Sequence, residues 1–362
     1  MRILQVATHK RVTRGGAVQM VRLARALKAR GHSVTLVFNK GSQEDEQAVA
    51  PLREEGFPVA FFPMDGLNLK GMLSFRRFVV EGGFQVVHAH RDTALRFAFF
   101  SLMGLDVPIV AQRGTTYRPK RLTKWILKSS KVPKISAVAY AVKEALVDSG
   151  IAPSKVCVVY GSVDFGVFRT DVSGAAVRQE FKIPFNAPVV GMVAALVGKK
   201  GYPVFLNACS GLSEKLAHLH VLMVGAGRAS KFSRETAPLG NRAHFTGHRE
   251  DVPQCMAAMD VVVCASTKGE GLTGVLREAM AMAKPVVSSA VSGNPEVIIP
   301  GKTGVLVPPG DPLALKDLLL KLLMEKSYSK RLSKGGRRLA LCLFGDNARA
   351  YKMEALYKEV VR

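Results

Sequence analysis

Lys268-Gly269-Glu270-Gly271-Leu272-Thr273-Gly274-Val275-Leu276-Arg277-Glu278 decides the reading of this chain. It follows the apolar run Val261-Val262-Val263-Cys264-Ala265 and opens into Ala279-Met280-Ala281-Met282, so it reads as a buried strand, a glycine-rich turn and a helix. Gly271 and Gly274 let the backbone approach a ligand closely. The N–H groups of Leu272, Thr273 and Gly274 at the helix start are expected to be free, and with the helix dipole they suit a phosphate. Glu270 stays in the loop, and Glu278 sits about one turn inside the helix. Carboxylates would repel a phosphate that they touched, so both are expected to accept hydrogen bonds from neutral hydroxyls, such as those of a sugar or a ribose.

Two flanking stretches extend the pattern, Ala279-Met280-Ala281-Met282-Ala283-Lys284-Pro285-Val286-Val287 and Ser292-Gly293-Asn294-Pro295-Glu296-Val297-Ile298. Together with Glu270-x7-Glu278 they resemble the donor-site signature of the family 4 retaining glycosyltransferases. The resemblance implies an α/β chain of GT-B fold, in which two Rossmann-like doubly wound domains face each other across a cleft and a C-terminal helix crosses back to the first domain. It further implies that Glu270 lies near the donor sugar and that Glu278 holds the ribose.

Towards the amino terminus, a strand Ile3 to Thr8 precedes Gly15-Gly16, and Ala17, Met20, Val21, Ala24 and Leu27 recur at helical spacing before strand Ser33 to Phe38. This βαβ unit lacks a G-x-G-x-x-G, which argues against a dehydrogenase-type dinucleotide site. Gly15 and Gly16 resemble the family's N-terminal Gly-Gly loop, where missing side chains admit the donor diphosphate and the acceptor. Gln85 to His90 reads as a strand ending in His-x-His. We expect His88 and His90 to point to opposite faces, leaving His90, nearer the carboxyl end, as the candidate. Strand Pro108 to Gln112 leads to Arg113, where many relatives carry a histidine; an arginine there is expected to neutralise a donor phosphate or an anionic acceptor.

Residues 118 to 131 are strongly basic and hold the only tryptophan, with Leu122, Trp125 and Ile126 on one helical side and Lys124, Lys128 and Lys131 off it. That pattern suits a membrane interface or, equally, a helix that packs Trp125 into the core. Ala137 to Ala141 reads as a strand and residues 165 to 187 as a linker. In the second half, Gly198-Lys199-Lys200-Gly201 resembles the family's phosphate clamp: Lys200 matches its lysine, while Ala194-Ala195 replaces its Gly-Arg. Lys199 or Arg113 could make up the loss. Gly225-Ala226-Gly227 resembles the family's segments around the base pocket, and Asp311 to Lys326 reads as an amphipathic helix on Leu313, Leu315, Leu318 and Leu322.

A chain of 362 residues with 48% hydrophobic and 22% charged content has the material for two cores, which excludes a disordered protein. Five scattered cysteines, Cys157, Cys209, Cys255, Cys264 and Cys342, fit neither a disulfide framework nor a zinc site. No Asp-x-Asp occurs, so no metal is expected. The segment before His9 is too short for a secretory signal, and no apolar run reaches the length of a membrane span, so a cytoplasmic protein is expected. Lys and Arg number 52 against 28 Asp and Glu, a net charge of +24 that calls for a polyanionic partner. With no recognised nucleic-acid module, an anionic membrane or glycan is preferred.

These readings divide the chain into an acceptor domain, 1–168 with 345–362 returning to it, and a donor domain, 169–344. They imply a retaining, metal-independent hexosyl-type transferase with no cofactor other than its substrate, a nucleotide-diphosphate sugar. It would act on a glycan or lipid-linked acceptor in cell-envelope polysaccharide or lipopolysaccharide synthesis, peripherally on the inner face of the plasma membrane. Catalysis would rest on Glu270, Lys200, Arg113 and His90, and donor binding on Gly15, Gly16, Gly225, Gly271, Leu272, Thr273, Gly274 and Glu278. The alternatives are a nucleotide-sugar epimerase of the same fold, a sensor that binds the donor without turnover, and a basic polyanion-binding protein.

Overall fold

The computed structural model describes residues 1–8, 16–40, 43–66, 68–268 and 271–361. The chain forms two compact units, Met1–Ser162 with Asp346–Arg362, and Val163–Gly345.

The first unit is built on seven parallel strands, β1 Arg2–Ala7, β2 Ser33–Asn39, β3 Val59–Phe62, β4 Val86–His90, β5 Ile109–Arg113, β6 Lys134–Ala137 and β7 Val156–Val158, in the order β3-β2-β1-β4-β5-β6-β7. The second has six, β8 Val189–Val193, β9 His220–Val224, β10 Ala243–Gly247, β11 Val261–Cys264, β12 Val286–Ser289 and β13 Val305–Val307, in the order β10-β9-β8-β11-β12-β13. Helices crossing over both faces bury the strands, which is why Val261–Cys264 is apolar throughout rather than alternating. In each sheet the order reverses direction once, at β1/β4 and at β8/β11. Crossovers leave in opposite directions from such a pair, so a crevice opens at the carboxyl ends of its strands.

The helix Asp346–Val360 completes the first unit. Met353, Leu356 and Tyr357 are buried in its core, and Arg22 bonds both carboxylate oxygens of Asp346, at 3.2 and 2.6 Å. Arg349 donates to the Gln19 carbonyl at 2.6 Å, and the Gln19 carboxamide exchanges two 2.9 Å bonds with the Ser162 backbone.

Three expectations need correction. Ala137 to Ala141 is not a strand: β6 ends at Ala137, opposite the last residue of β5, and a helix begins at Tyr140. Residues 165–187 are no loose linker, because Arg178, on the helix Ala175–Glu180, bonds Ala258 O at 3.1 Å, Ala187 O at 2.9 Å and Asp260 at 3.2 Å. In the helix Pro312–Met324 the inward face carries Leu315, Leu319, Leu322 and Leu323, while Leu313 is 67% exposed.

Candidate functional site

In the second unit the loops after β8 and β11 meet at the strand-order reversal. Thr267 N donates to Lys199 O at 2.9 Å. Gly201 has φ 77, and a Cβ there would lie 1.8 Å from Ala265 O, so only glycine lets the two loops close. Gly225 is held in the same way against the Ala194 carbonyl, which also accepts the buried Tyr202 hydroxyl at 2.6 Å. Lys200, half-buried, thus sits on a loop anchored from both sides.

The turn 271–273 is anchored from below. Gly293 N donates to Gly271 O at 2.7 Å. Asn294, with no exposure, accepts from Thr273 Oγ1 at 3.0 Å and Thr273 N at 3.3 Å, and it donates to Ser288 Oγ at 2.9 Å. The expectation that Thr273 N–H is free is therefore wrong: a buried amide had to be satisfied, and Asn294 satisfies it. Thr273 occupies the N-cap position of the helix Gly274–Ala281 yet makes no side-chain cap bond. The N-cap Asp311, by contrast, accepts from Leu313 N and Ala314 N. The first turn of Gly274–Ala281 consequently takes no bond from its N-cap side chain, an arrangement that suits an anion. Glu278, half-buried, brings Oε1 to 3.7 Å from where a Cβ on Gly274 would stand. At the other end of this helix the Arg337 guanidinium donates to Ala281 O, a cation at a helix carboxyl end. Arg277 is 6% exposed, its guanidinium 5.7 Å from the Phe344 ring centroid.

In the first unit, Gly16 opens the helix Gly16–Ala29 after β1, and His90 and Arg113 end β4 and β5. His88 and His90 share one face, with ring centroids 4.1 Å apart. Residues two apart on a strand point the same way, so the expectation of opposite faces was mistaken. His90 is buried, its Nε2 3.0 Å from Gln5 Oε1 on β1. His88 is fully buried with Nδ1 2.7 Å from the Tyr357 hydroxyl, and burial, with the nearby Arg349 charge, pushes its pKa down to about 3. Its imidazole is therefore neutral and its role internal. Arg113 is no open fork: Nη1 bonds Asp92 and Nη2 donates to Tyr117 O at 2.9 Å, so the guanidinium charge is already matched by a carboxylate.

Gly15 and Glu270 lie outside the described residues. Lys200, Gly225, Gly271, Leu272, Thr273, Gly274 and Glu278 gather at the carboxyl edge of the second sheet; Gly16, His90 and Arg113 lie at that edge of the first. Sequence reasoning missed Gln5, Asp92, Ser288 and Asn294 as supporting groups. Gln5, a polar residue inside the apolar run of β1, was the one legible signal. A cavity of about 690 Å³ opens instead near the amino-terminal ends of β4 to β6, among Phe84, Phe99, Met103, Lys131, Val360 and Val361, away from these candidates. Among the described residues no cluster of three or more His, Cys, Asp or Glu could hold a metal ion, and no helix is long and apolar enough to cross a membrane.

Comparison with known proteins gives two family matches that together span most of the chain, Glycosyltransferase Family 4 over residues 13–166 and Glycosyl transferases group 1 over residues 187–325. The chain is 26% identical to the phosphatidyl-myo-inositol mannosyltransferase of Mycobacterium leprae over 339 residues, covering 89% of this chain and 87% of the relative. It is 27% identical to the D-inositol 3-phosphate glycosyltransferase of Xylanimonas cellulosilytica over 393 residues, covering 96% and 92%. Among solved structures, HepE of Anabaena in complex with UDP superposes with a TM-score of 0.87 at 20% identity, covering 99% of this chain and 100% of that one, a likeness of fold.

Proposed function

Since the chain belongs to family 4 of the glycosyltransferases and has the GT-B fold, we propose that it is a retaining, metal-independent enzyme that moves a sugar from a nucleotide-diphosphate sugar to a glycan or lipid-linked acceptor. The observation that carries this reading is the uncapped first turn of Gly274–Ala281 beside the Lys200 loop, at the β8/β11 reversal. An anionic diphosphate fits the amides and the lysine, and ribose hydroxyls fit the Glu278 carboxylate. The solved neighbour with UDP favours a uridine nucleotide, and the relative named for phosphatidyl-myo-inositol favours a lipid-linked acceptor.

In the chemistry we propose, the bond from the anomeric carbon to the diphosphate oxygen breaks as the acceptor oxygen bonds that carbon on the same face. The acceptor proton passes to the departing diphosphate, whose growing charge Lys200 and the helix terminus hold. Donor contacts lie in the second unit and acceptor contacts in the first, with Gly15, Gly16, His90 and Glu270 as further candidates. The same reading keeps the protein in the cytoplasm, docked peripherally on anionic membrane. Its support is the net charge of +24, with Leu122 and Trp125, 44% and 56% exposed, among Lys124 and Lys128.

A thermal-shift panel of nucleotide sugars, followed by product analysis of any that bind, tests the reading. We expect one donor to raise the midpoint, EDTA to leave turnover intact, and the product to keep the donor's anomeric configuration. An inverted product or a strict need for magnesium or manganese removes the mechanism, and epimerised donor without transfer favours an epimerase.

A further inference from the structure

We propose that Arg91 is the group with which the first unit grips its acceptor, and that the acceptor therefore carries a phosphate or carboxylate; this rests on the transferase reading above. β1 lies between β2 and β4, so the first sheet reverses at β1/β4, and the residues following those strands face its crevice. β4 ends at His90, and Arg91 is the next residue.

Arg91 has φ 84 and ψ 157, a conformation that glycine adopts freely and residues with side chains avoid. The other non-glycine residues described with positive φ, Lys182, Ala283 and Ser292, have φ of 52, 52 and 50, ordinary for left-handed turns. A glycine at 91 would take the same path without strain, so the fold itself does not call for arginine there. The side chain is exposed, and among the described residues it enters no hydrogen bond or ion pair.

The groups around it are occupied. Asp92, the adjacent carboxylate, is bonded to Arg113 and does not neutralise Arg91. His90 faces inward to Gln5, and His88 to Tyr357. The end of β4 thus offers outward one cation, carried on a backbone that turns the strand into the helix Asp92–Ser101 and that a glycine would adopt without strain. A guanidinium reads phosphate or carboxylate with two parallel hydrogen bonds, which makes a neutral sugar the wrong partner for it.

The test uses the full chain saturated with UDP, so that the donor site is filled, and titrates glucose 6-phosphate and glucose separately by calorimetry. The sugar phosphate should bind and glucose should not. Arg91→Gln and Arg91→Gly should each weaken the sugar phosphate at least about tenfold, while UDP affinity changes less than about twofold. Arg91→Gly should also raise the thermal midpoint, since it releases the strain. Equal affinity in wild type and both variants, or no binding to the UDP-saturated wild type, overturns the proposal. Failure to bind UDP or any other nucleotide diphosphate would bring down the transferase reading itself. Displacement of the sugar phosphate by phosphatidylglycerol vesicles would identify a lipid headgroup as the carrier of the anion, and no displacement a soluble glycan.

Discussion

Asn294 Oδ1 lies 3.0 Å from Thr273 Oγ1, so the residue placed to cap the helix Gly274–Ala281 spends its hydroxyl on the loop beneath instead. Replacing Asn294 with Leu keeps the volume but leaves Thr273 and Ser288 without their buried partner. Stability should fall by about 1–3 kcal/mol, read from urea titration. Nucleotide affinity should fall about tenfold, because a released Thr273 can turn to cap the amides that the ligand needs. Full affinity in a folded variant would show that the loop needs no such anchor.

Glu278 tests the ribose contact. Glu278→Ala should weaken the donor and the free nucleotide diphosphate together by about 1.5–3 kcal/mol, measured by calorimetry. A loss confined to the sugar-bearing donor would move Glu278 from the ribose to the sugar.

His88 makes stability depend on pH. The folded state holds it neutral, with its pKa down at about 3, while the unfolded chain takes the proton near 6.5. The stabilisation is complete above the unfolded value and is lost as pH falls towards the folded one, at roughly 1 kcal/mol per pH unit below 6.5. Urea midpoints between pH 7 and 5 should drop less steeply in His88→Gln than in the wild type. Parallel slopes would mean that the imidazole also titrates normally in the fold.

Membrane docking is checked by sedimentation with vesicles. Binding should require anionic lipid, decline with salt, and weaken by about fivefold for each reversal in Lys124→Glu and Lys128→Glu. Trp125 emission should shift to the blue. Lys131 is left out of this set because its ammonium is bound to the Leu105 carbonyl.

How far the sequence could be read depended on the kind of contact involved. Parallel strands buried on both faces appear as apolar runs, and the turn 271–273 appears as glycines between a strand and a helix, so both sheets and the local strand–turn–helix of the candidate site were legible. What a side chain faces across space was not. The role of Arg113 was hidden because Asp92 lies 21 positions away, and that of Thr273 because Asn294 does. Trp125 was undecidable by period: Thr123, Ile126 and Leu127 fill the inward face of their short helix, turning Trp125 outward with only a ring edge on Phe99. The helix Lys326–Leu343, for which the sequence set no expectation, carries Gly335-Gly336 in its interior, and the pair lets the helix press against the Lys302 and Thr303 carbonyls. The charge, too, is partly internal: Lys155, Lys284, Arg76 and Arg337 donate to backbone carbonyls rather than awaiting a polyanion.

The helix Asp346–Val360 reverses the order in which a ribosome could deliver finished units. The second unit, Val163–Gly345, is one continuous segment and has every strand of its core once that segment has emerged. The first unit is translated earlier but lacks Met353, Leu356 and Tyr357 until the end of the chain appears. Until then its sheet has an open apolar face, and His88 has no hydroxyl to bond. The segment made first is thus the one completed last, and in the interval it is the stretch of nascent chain that a chaperone has reason to hold.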